Sequence, residues 1–569
     1  MLFRPSLPYI AAFTAAATAT VVQWGTCADN FGAPLPVDCG RLFVPLDYTA
    51  HDQGGGGGES LSLKLLRSPA LRKPVKGSIM LNFGGPGATG RDSLAAVAPI
   101  LHMFTGGNYN LIAFDPRGTG STIPLACLDT DMEKLNMMLD FSLVPRAHER
   151  ENLGRFWARG TILAEQCGRR PQENKTGALI GTAFTARDVV SVAEALGEDG
   201  LVRYWGFSYG TTLGATLVAM FPDKVDRVIL DGVQNPHEYY HAYADLEEWS
   251  DSDEEFSHIF QHCVANPSRC ALARDGVSAA ALERSVWQLL ERLKYHPVVV
   301  ADYIIDRRVV SFLIVTSLYK YVSWPNLTKA LDILIRDDYH HHQDDVDFLI
   351  RIFNLESEVP GKDLDAGIAA QLAMVGIHCG DRAARAGSLE ALMPTLRRLA
   401  RVSRVLDGMP GGINIPCAQW KFEPKERYGG DFQVAPRRPV LIVGNTWDGL
   451  TPLRSAHNVS SGFKGSVVLE VNGYGHASLG LPSACNLRHV RAYWQNGTVP
   501  EPGTVCEVDA PPFSNITWED VLRDMDDDGE AAADDGGNLE LRRRGTAVSL
   551  DKALEKFSEI GQKTLGWRI

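Results

Sequence analysis

The 569-residue chain has no window of eighteen consecutive apolar residues, so the sequence predicts no membrane-spanning helix. It also lacks an excess of basic residues, because 56 Lys and Arg stand against 69 Asp and Glu and give a net charge of −13. Such a surface repels a polyanion on average, and a nucleic-acid partner has no electrostatic support. The hydrophobic fraction of 45% and the charged fraction of 22% are those of a folded globular protein.

The cysteines lack any CxxC pair and any zinc-ligand spacing, so the sequence predicts no metal site. Their number is even, which is typical of a disulfide framework formed in an oxidising compartment. The ten cysteines are Cys27, Cys39, Cys127, Cys167, Cys263, Cys270, Cys379, Cys417, Cys485 and Cys506.

The N-terminus has the features of a secretory signal peptide, which we predict over residues 1–19. Arg4 is followed by an apolar, small-residue stretch and by an A-x-A site at Ala17-Thr18-Ala19. Asn-x-Ser/Thr sequons add to the case for secretion, since only secreted chains can use them. The five predicted glycosylation sites are Asn174, Asn326, Asn458, Asn496 and Asn515. We therefore expect a secreted, extracellular protein.

Short apolar runs alternate with helical patterns in two parts of the chain. Runs that are apolar throughout, separated by helices, indicate a mostly parallel sheet covered on both faces. The runs lie at 77–83, 109–114, 202–206, 227–231, 439–443 and 466–470. Between the two parts, amphipathic helical segments with charged linkers indicate an inserted helical cap. The predicted organisation is a signal peptide at 1–19, a first core part at 20–234, the cap at 235–435, a second core part at 436–510 and a tail at 511–569.

Two segments have compositions that favour flexibility. Residues 54–58 are five consecutive glycines, which cannot hold regular structure and are expected to form a loop. The tail holds nine acidic residues and one arginine between 519 and 535, a composition typical of solvated chain. Asp524, Asp526, Asp528 and Gly529 also match the first half of a calcium-binding loop, but Asp535 stands at the closing position in place of glutamate. We favour the acidic, flexible tail.

The sequence Gly206-Phe207-Ser208-Tyr209-Gly210 lies between a predicted strand and a predicted helix. This is the context of a nucleophile elbow, in which flanking glycines relieve the crowding of a strained turn that exposes the serine hydroxyl. When such a serine attacks an acyl group, a negatively charged oxygen forms, the oxyanion. The turn also directs the backbone N–H of Tyr209 toward this oxyanion. A structural turn is the alternative, and the strand–turn–helix placement favours a nucleophilic Ser208.

A serine nucleophile needs a histidine base and a carboxylate that orients it. Asp448 follows the predicted strand at 439–443, and His476 follows the one at 466–470, so both lie at the strand ends where ligands bind in open sheets. Taken alone, either residue is more often structural. Their order and context predict a catalytic triad of Ser208, Asp448 and His476. The glycine-rich turn after residue 83 predicts Gly85 as the second oxyanion donor, since its N–H is unshielded and proline has none.

The motifs shared with a known family are Gly84-Gly85-Pro86-Gly87, Asp115-Pro116-Arg117-Gly118, Gly206-Phe207-Ser208-Tyr209-Gly210, Asp448 with Thr451-Pro452, and Gly475-His476. Over about residues 24–508 the sequence resembles the secreted tripeptidyl-aminopeptidase-like and prolyl-aminopeptidase-like serine α/β-hydrolases. The resemblance implies the α/β-hydrolase fold with an inserted helical cap. It also implies sequential disulfides, namely Cys27–Cys39, Cys127–Cys167, Cys263–Cys270, Cys379–Cys417 and Cys485–Cys506.

The activity implied by the resemblance is that of a serine exopeptidase releasing short, tripeptide-type fragments from free N-termini, without a cofactor. Such an enzyme needs carboxylates facing the substrate amine. Acidic residues cluster where the cap begins, at Glu238, Asp245, Glu247, Glu248, Asp251, Asp253, Glu254 and Glu255. We select Glu238 and Glu247 from this cluster as the predicted amine ligands. The alternatives are a secreted carboxylesterase with the same triad and a non-catalytic binding protein on a hydrolase scaffold. The oligomeric state is not predicted.

Overall fold

The structure is a computed structural model that describes residues 21–51, 59–141, 150–169, 175–353, 361–406, 411–527, 550 and 552–556. Several predictions fall outside these residues: the signal peptide at 1–19, the glycine loop at 54–58, the sequon at Asn174 and most of the acidic tail. Within the described ranges, every helix is too short or too polar to cross a lipid bilayer.

Ten of the strands form one twisted sheet, and two more form a hairpin in the cap. The strands are β1 (Gln23–Gly25), β2 (Asp38–Pro45), β3 (Ser60–Ser68), β4 (Ser78–Asn82), β5 (Asn110–Phe114), β6 (Val202–Ser208), β7 (Val225–Val233), β8 (Val298–Val300), β9 (Tyr303–Ile305), β10 (Leu441–Trp447), β11 (Val467–Tyr474) and β12 (Val505–Glu507). The order in the large sheet is β1-β2-β3-β5-β4-β6-β7-β10-β11-β12.

The helices cover the two faces of the large sheet and build the cap. They are α1 (Tyr48–His51), α2 (Gly90–Thr105), α3 (Asp131–Phe141), α4 (Arg150–Arg169), α5 (Thr182–Ala195), α6 (Tyr209–Met220), α7 (Pro236–His241), α8 (Ser252–Ala265), α9 (Ala279–Arg292), α10 (Arg307–Ser317), α11 (Trp324–Arg336), α12 (Gln343–Ile352), α13 (Gly361–Asp381), α14 (Leu389–Val402), α15 (Gly411–Ala418), α16 (Leu453–Gly462), α17 (Ala484–Asn496) and α18 (Trp518–Asp527).

The burial pattern differs between the central and the edge strands of the sheet. The central strands β4 to β7, β10 and β11 pair in parallel, while β1, β2 and β3 form an antiparallel edge. Every residue of β4 is buried, because helices cover both of its faces. In β2, buried and exposed residues alternate from Gly40 to Val44, as expected of a strand with one solvated face. The predicted mostly parallel sheet is therefore confirmed.

The apolar core has two parts, one on each face of the sheet. One contains the inner sides of α2 and α17 and continues without a break into the cap helices α8 and α11. The other contains α5, α6 and α13. This continuity means that the cap and the core share a single body of buried side chains, so the cap is packed on the sheet edge as a fixed layer.

Helical insertions lie between β7 and β10, where the sequence predicts the cap. The first helix, α7, begins at an Asn235 cap whose side chain accepts from the N–H groups of His237 and Glu238, with Pro236 at its first position. A smaller cluster joins α4 to α14 and α15 through Leu153, Phe156 and other apolar side chains. The helical layer over the sheet edge therefore includes α4, which precedes Ser208 in the chain.

The five disulfides implied by the resemblance are all present. They join Cys27 to Cys39, Cys127 to Cys167, Cys263 to Cys270, Cys379 to Cys417 and Cys485 to Cys506. The last two cysteines also lie near His489, which makes this the one cluster of possible metal ligands among the described residues. Both sulfurs are bonded to each other, so they offer no thiolate to a metal ion.

The start of the predicted flexible tail is instead an ordered part of the fold. Helix α18 buries Trp518, Val521 and Leu522 against the core, and the indole N–H of Trp518 donates to the carbonyl of Leu479 at 3.1 Å. Their spacing places the three side chains on one helix face, which the acidic composition of the opposite face conceals. Asp524 and Asp526 lie within this helix and not in a calcium-binding loop.

Candidate active site

Ser208 is the last residue of β6 and directly precedes α6. Its backbone has φ 56° and ψ −127°, a strained conformation for a residue with a side chain. A Cβ atom at Gly206 would overlap the carbonyl oxygen of Gly210, and one at Gly210 would crowd the carbonyl oxygen of Asn82. Only glycine fits at either position. The turn therefore has the geometry expected of a nucleophile elbow.

Asp448 lies in the loop after β10, fully buried. One carboxylate oxygen accepts from the backbone N–H groups of Leu450 and Thr451, at 3.0 and 2.8 Å. The other oxygen accepts from the Thr451 hydroxyl at 2.7 Å. These bonds fix the orientation of the carboxylate and stabilise its charge in a buried position.

His476 follows β11, and its ring lies against this carboxylate. The Nδ1 atom is 3.2 Å from Oδ2 of Asp448 and 2.9 Å from the Thr451 hydroxyl oxygen, and the next N–H, that of Ala477, donates to Asp448. With Nδ1 facing these acceptors, the neutral ring carries its proton there and keeps Nε2 as the acceptor. His476 and Ser208 line the same cavity.

A second buried carboxylate, Asp231, lies at the end of β7. Its oxygens accept from the N–H and the hydroxyl of Ser478, at 2.9 and 2.7 Å, whereas the bonds to the imidazole are made by Asp448. Burial raises the pKa of Asp231 to about 7, although the bonds from Ser478 oppose this shift. Asp448 is thus in the position that orients His476, and Asp231 anchors the loop that follows it.

The glycine-rich turn after β4 packs against the serine. A Cβ atom at Gly84 would lie 2.7 Å from Cβ of Ser208, and Gly85, with φ 102°, lines the cavity beside Ser208. The phenol of Tyr209 is turned away and shares a hydrogen bond of 2.6 Å with the hydroxyl of Thr182. The backbone of Tyr209 lies at the N-terminus of α6, where the helix dipole favours negative charge.

The cavity has an apolar wall and a polar end. The wall is formed by Trp249, Phe312, Val315, Met374 and Leu406. At the polar end lie two carboxylates from the turn that precedes α8, Asp245 and Glu248. A cavity of this kind suits a ligand with apolar side chains and one cationic group.

The two cavity carboxylates have opposite electrostatic environments. Burial raises the pKa of Asp245, but the neighbouring Arg382 and His378 outweigh it and hold this pKa far below its usual range. Burial and the charge of Asp245 raise the pKa of Glu248 well above its usual value, with a bond of 2.9 Å from the amide of Gln234 opposing the shift. Asp245 is therefore paired with a cation, while the environment of Glu248 disfavours its charged form.

The predicted amine ligands, Glu238 and Glu247, do not line this cavity. Glu238 accepts from the N–H of Glu247 at 2.7 Å, and Glu247 accepts from Ser455 and from the amide of Asn458. Two other members of the acidic cluster, Asp245 and Glu248, line the cavity, and residues 246–250 form an irregular turn. No helical or strand period therefore indicates which of its carboxylates face inward.

Comparisons with known proteins agree with this architecture. The family described as "alpha/beta hydrolase fold" matches residues 84–261, and the family described as "TAP-like protein" matches residues 410–506. The first match contains Ser208 and the second contains Asp448 and His476. The chain has the α/β-hydrolase fold.

Proteins similar to this chain include enzymes with peptidase and esterase names. Serine protease Hip1 of Mycobacterium tuberculosis is 25% identical over 500 residues, which cover 85% of this chain and 91% of the relative. Tripeptidyl aminopeptidase of Streptomyces lividans is 26% identical, with coverages of 86% and 87%. Carboxylesterase B of Mycobacterium tuberculosis is 27% identical, with coverages of 85% and 89%. The chain is a serine hydrolase similar to these peptidases.

A solved structure that aligns with the α/β-hydrolase is 2-hydroxy-6-oxo-6-phenylhexa-2,4-dienoate hydrolase from Rhodococcus sp. strain RHA1. It covers 78% of this chain and 93% of its own, at 13% identity and a TM-score of 0.29. The fold assignment rests instead on the strand order and on the two family matches.

The raised pKa of Asp231 predicts how the stability of this α/β-hydrolase changes with pH. From the ordinary carboxyl pKa of 3.8 up to about 7, the native state keeps a proton that the unfolded chain releases, so stability falls as pH rises through this window. An asparagine does not titrate, so Asp231→Asn removes this loss. We expect the free energy of unfolding of the variant, relative to that of the wild type, to rise by up to about 4 kcal/mol between pH 4 and pH 8. Guanidinium unfolding at the two pH values measures the gain. An equal difference at both would contradict the prediction, and Glu194→Gln, at an exposed carboxylate, is the control.

Proposed function

We propose that the protein is a secreted serine exopeptidase that releases short, tripeptide-type fragments from the free N-termini of peptides. The observation that carries the proposal is the composition of one cavity, in which Ser208 and His476 share the space with the carboxylates Asp245 and Glu248. A nucleophile that acts on an acyl group and a site for an ammonium group are the two elements that an aminopeptidase requires.

The proposed reaction is acyl transfer through Ser208. Its hydroxyl attacks the scissile carbonyl while Nε2 of His476 takes the proton, and His476 then gives this proton to the leaving amine. Asp448 holds the imidazole in the required tautomer and stabilises its charged form. The N–H groups of Gly85 and Tyr209 receive the oxyanion, an interaction worth about 3 kcal/mol per donor in comparable sites. Water repeats the sequence to release the peptide and restore Ser208.

The proposed amine ligand is Glu248, in place of the two glutamates selected from the sequence. Asp245 is already neutralised by Arg382, whereas Glu248 has no cationic partner among its hydrogen bonds to described residues. An ammonium group opposes the effects that raise the pKa of Glu248, so its arrival favours the ionised carboxylate. The ammonium then forms a desolvated ion pair at the polar end of the cavity.

The test compares three substrates on protein collected from the medium of a secreting host, after its N-terminus has been checked to begin past residue 19. The substrates are a tripeptide nitroanilide with a free amine, its N-acetylated form and a nitrophenyl ester. We expect kcat/KM for the free tripeptide to exceed that for the acetylated one by at least about 30-fold, the usual effect of pairing a buried charge. Equal rates on both peptides would contradict the proposal.

Glu248→Gln is expected to raise KM for the free tripeptide about 10-fold or more, because the variant offers no charge to the ammonium. Hydrolysis of the acetylated tripeptide should change by less than about 3-fold. The matched control is Glu247→Gln, which changes the adjacent glutamate outside the cavity and should leave both substrates unaffected. A similar loss on both substrates in Glu248→Gln would indicate a general disturbance of the cavity and contradict the assignment.

A secreted carboxylesterase with the same triad is the second candidate. The apolar wall formed by Trp249, Phe312 and Val315 favours it, as does the relative named Carboxylesterase B. Hydrolysis of the ester without hydrolysis of either amide in the three-substrate assay would select this function.

Secretion and glycosylation are part of the proposal. The disulfides and the leader-like residues 1–19 support an oxidising compartment. Asn326, Asn496 and Asn515 are exposed and accessible to a glycan. Asn458 is also exposed, but its amide nitrogen donates to both oxygens of Glu247, which makes it the least suitable of the described sequons. Peptide-N-glycosidase treatment followed by mass measurement reports which sites carry a glycan.

A further inference from the structure

The first long helix of the cap, α8, holds the loop that carries Asp448. Both peptide groups of Gly449, the residue directly after this aspartate, bond to one turn of the helix. The Ser252 hydroxyl donates to the carbonyl of Gly449 at 2.7 Å, and the N–H of Gly449 donates to Oε2 of Glu255 at 2.9 Å. Ser252 and Glu255 are fully buried. The loop of the core and the helix of the cap are thus joined at a single residue.

The fit at this junction is too close for a side chain. A Cβ atom at Gly449 would lie 2.5 Å from Oε2 of Glu255 and 3.0 Å from Cα of Ser252. Because Gly449 follows Asp448 in the chain, a displacement of one moves the other. The position of the Asp448 carboxylate is therefore set by the helix as well as by its own loop.

Glu255 is an expensive residue to bury in this place. Its second oxygen, Oε1, is inaccessible to solvent and has no hydrogen-bond partner among the described residues, which leaves a polar atom unsatisfied. The ionisable groups that act on it electrostatically are Asp448, in the loop after β10, and Tyr474, at the end of β11. Burial and the charge of Asp448 raise the pKa of Glu255 well above its usual value. The site therefore disfavours the charged form of Glu255.

We propose that Ser252 and Glu255 are positioning residues. They clamp the backbone of Gly449 and thereby keep the Asp448 carboxylate beside Nδ1 of His476. The inference rests on the triad of the proposed function and adds two residues of the cap to its support. A second cap contact has the same effect on the histidine, because the carbonyl of Tyr319 accepts from the N–H of His476 at 3.0 Å. The segments that carry Asp448 and His476 are thus both hydrogen-bonded to the cap.

The test compares Glu255→Ala, Glu255→Gln and Ser252→Ala on the free tripeptide nitroanilide. We expect Glu255→Ala to lower kcat by about 10- to 100-fold with KM changed less than about 3-fold, because a shifted Asp448 weakens the transition state and not substrate binding. Glu255→Gln keeps the size of the side chain and an oxygen that accepts from the N–H of Gly449. It should stay within about 3-fold of the wild-type kcat, with an unchanged pH profile. Ser252→Ala should lower kcat several-fold and carries the test if Glu255→Ala does not fold.

Two results would overturn the clamp. Wild-type kcat in Ser252→Ala, or in a folded Glu255→Ala, would show that the Asp448 loop needs no support from the helix. An acidic limb of the kcat profile shifted to lower pH in Glu255→Gln would show that Glu255 acts through a negative charge. Ser208→Ala, assayed in parallel, distinguishes a failure of the clamp from a failure of the proposed triad. If it is inactive and the clamp variants are normal, only the clamp fails; if it keeps full activity, the proposed function fails and the clamp with it.

Discussion

Ser208→Ala should lower kcat/KM on the free tripeptide nitroanilide by about 10⁴-fold or more, the largest loss of any single substitution in the site. The variant retains the cavity, the oxyanion donors and the imidazole, but no acyl-enzyme can form. The backbone of Ser208 has a positive φ, and alanine meets the same strain there as serine, so the fold should be preserved. Steady-state kinetics, with labelling of the wild type by a fluorophosphonate to count active sites, measures the loss.

The two buried carboxylates near His476 provide a matched control for this result. Asp448→Asn should cost about 10³- to 10⁴-fold in kcat, since an amide can hold the imidazole in the wrong tautomer. Asp231→Asn, at an equally buried carboxylate that bonds to Ser478 instead, should cost less than about 10-fold. The reverse order would assign the acid of the triad to β7. Unchanged activity in Ser208→Ala would remove the nucleophile from the proposed function altogether.

Asp188→Ala is expected to lower the free energy of unfolding by about 3–5 kcal/mol, because it leaves the guanidinium of Arg117 buried and without its charge partner. Both side chains are completely inaccessible to solvent, and two bonds of 2.7 and 2.9 Å join them. Arg117 also donates to the carbonyls of Pro45 and Leu46, so this one ion pair connects α5 to the segment between β2 and α1.

The ion pair between Lys224 and Glu194 is the comparison for this second prediction. Its atoms are 2.8 Å apart, but the side chains are 49% and 51% exposed. Glu194→Ala should therefore change the free energy of unfolding by less than about 1 kcal/mol. Guanidinium unfolding of oxidised protein measures both variants. Equal losses of stability in Asp188→Ala and Glu194→Ala would mean that burial adds nothing to the stabilisation by the Arg117–Asp188 pair.

The parts of the molecule that the sequence predicts are those encoded by neighbouring residues. Ser208, Asp448 and His476 each follow an apolar run, and parallel strands bring such positions to one sheet edge. The glycines around Ser208 reveal the turn for the same local reason. The proposed amine ligand was not predictable in this way, since Glu248 lies in an irregular turn with no repeating pattern.

Contacts between distant segments account for what the sequence did not indicate. In the sequence, Glu255 is one more acidic residue on a helix. Its hydrogen bond to Gly449 is not visible there because the two residues are 194 positions apart. The role of Arg117 is hidden similarly, because its partner Asp188 lies on a helix 71 residues later. In α18, the composition pointed to solvated chain while the spacing of Trp518, Val521 and Leu522 pointed to a packed face. The spacing proved the better guide.

The position of the cap between β7 and β10 has a consequence during synthesis. A ribosome makes α4 and Ser208 first, then the helices between β7 and β10, and reaches His476 only afterwards. At about 5–20 residues per second, more than ten seconds separate the two. In the proposed mechanism, a growing chain therefore holds the nucleophile without its base and cannot attack neighbouring polypeptides. Reactivity arrives only after the layer that encloses the cavity has been made.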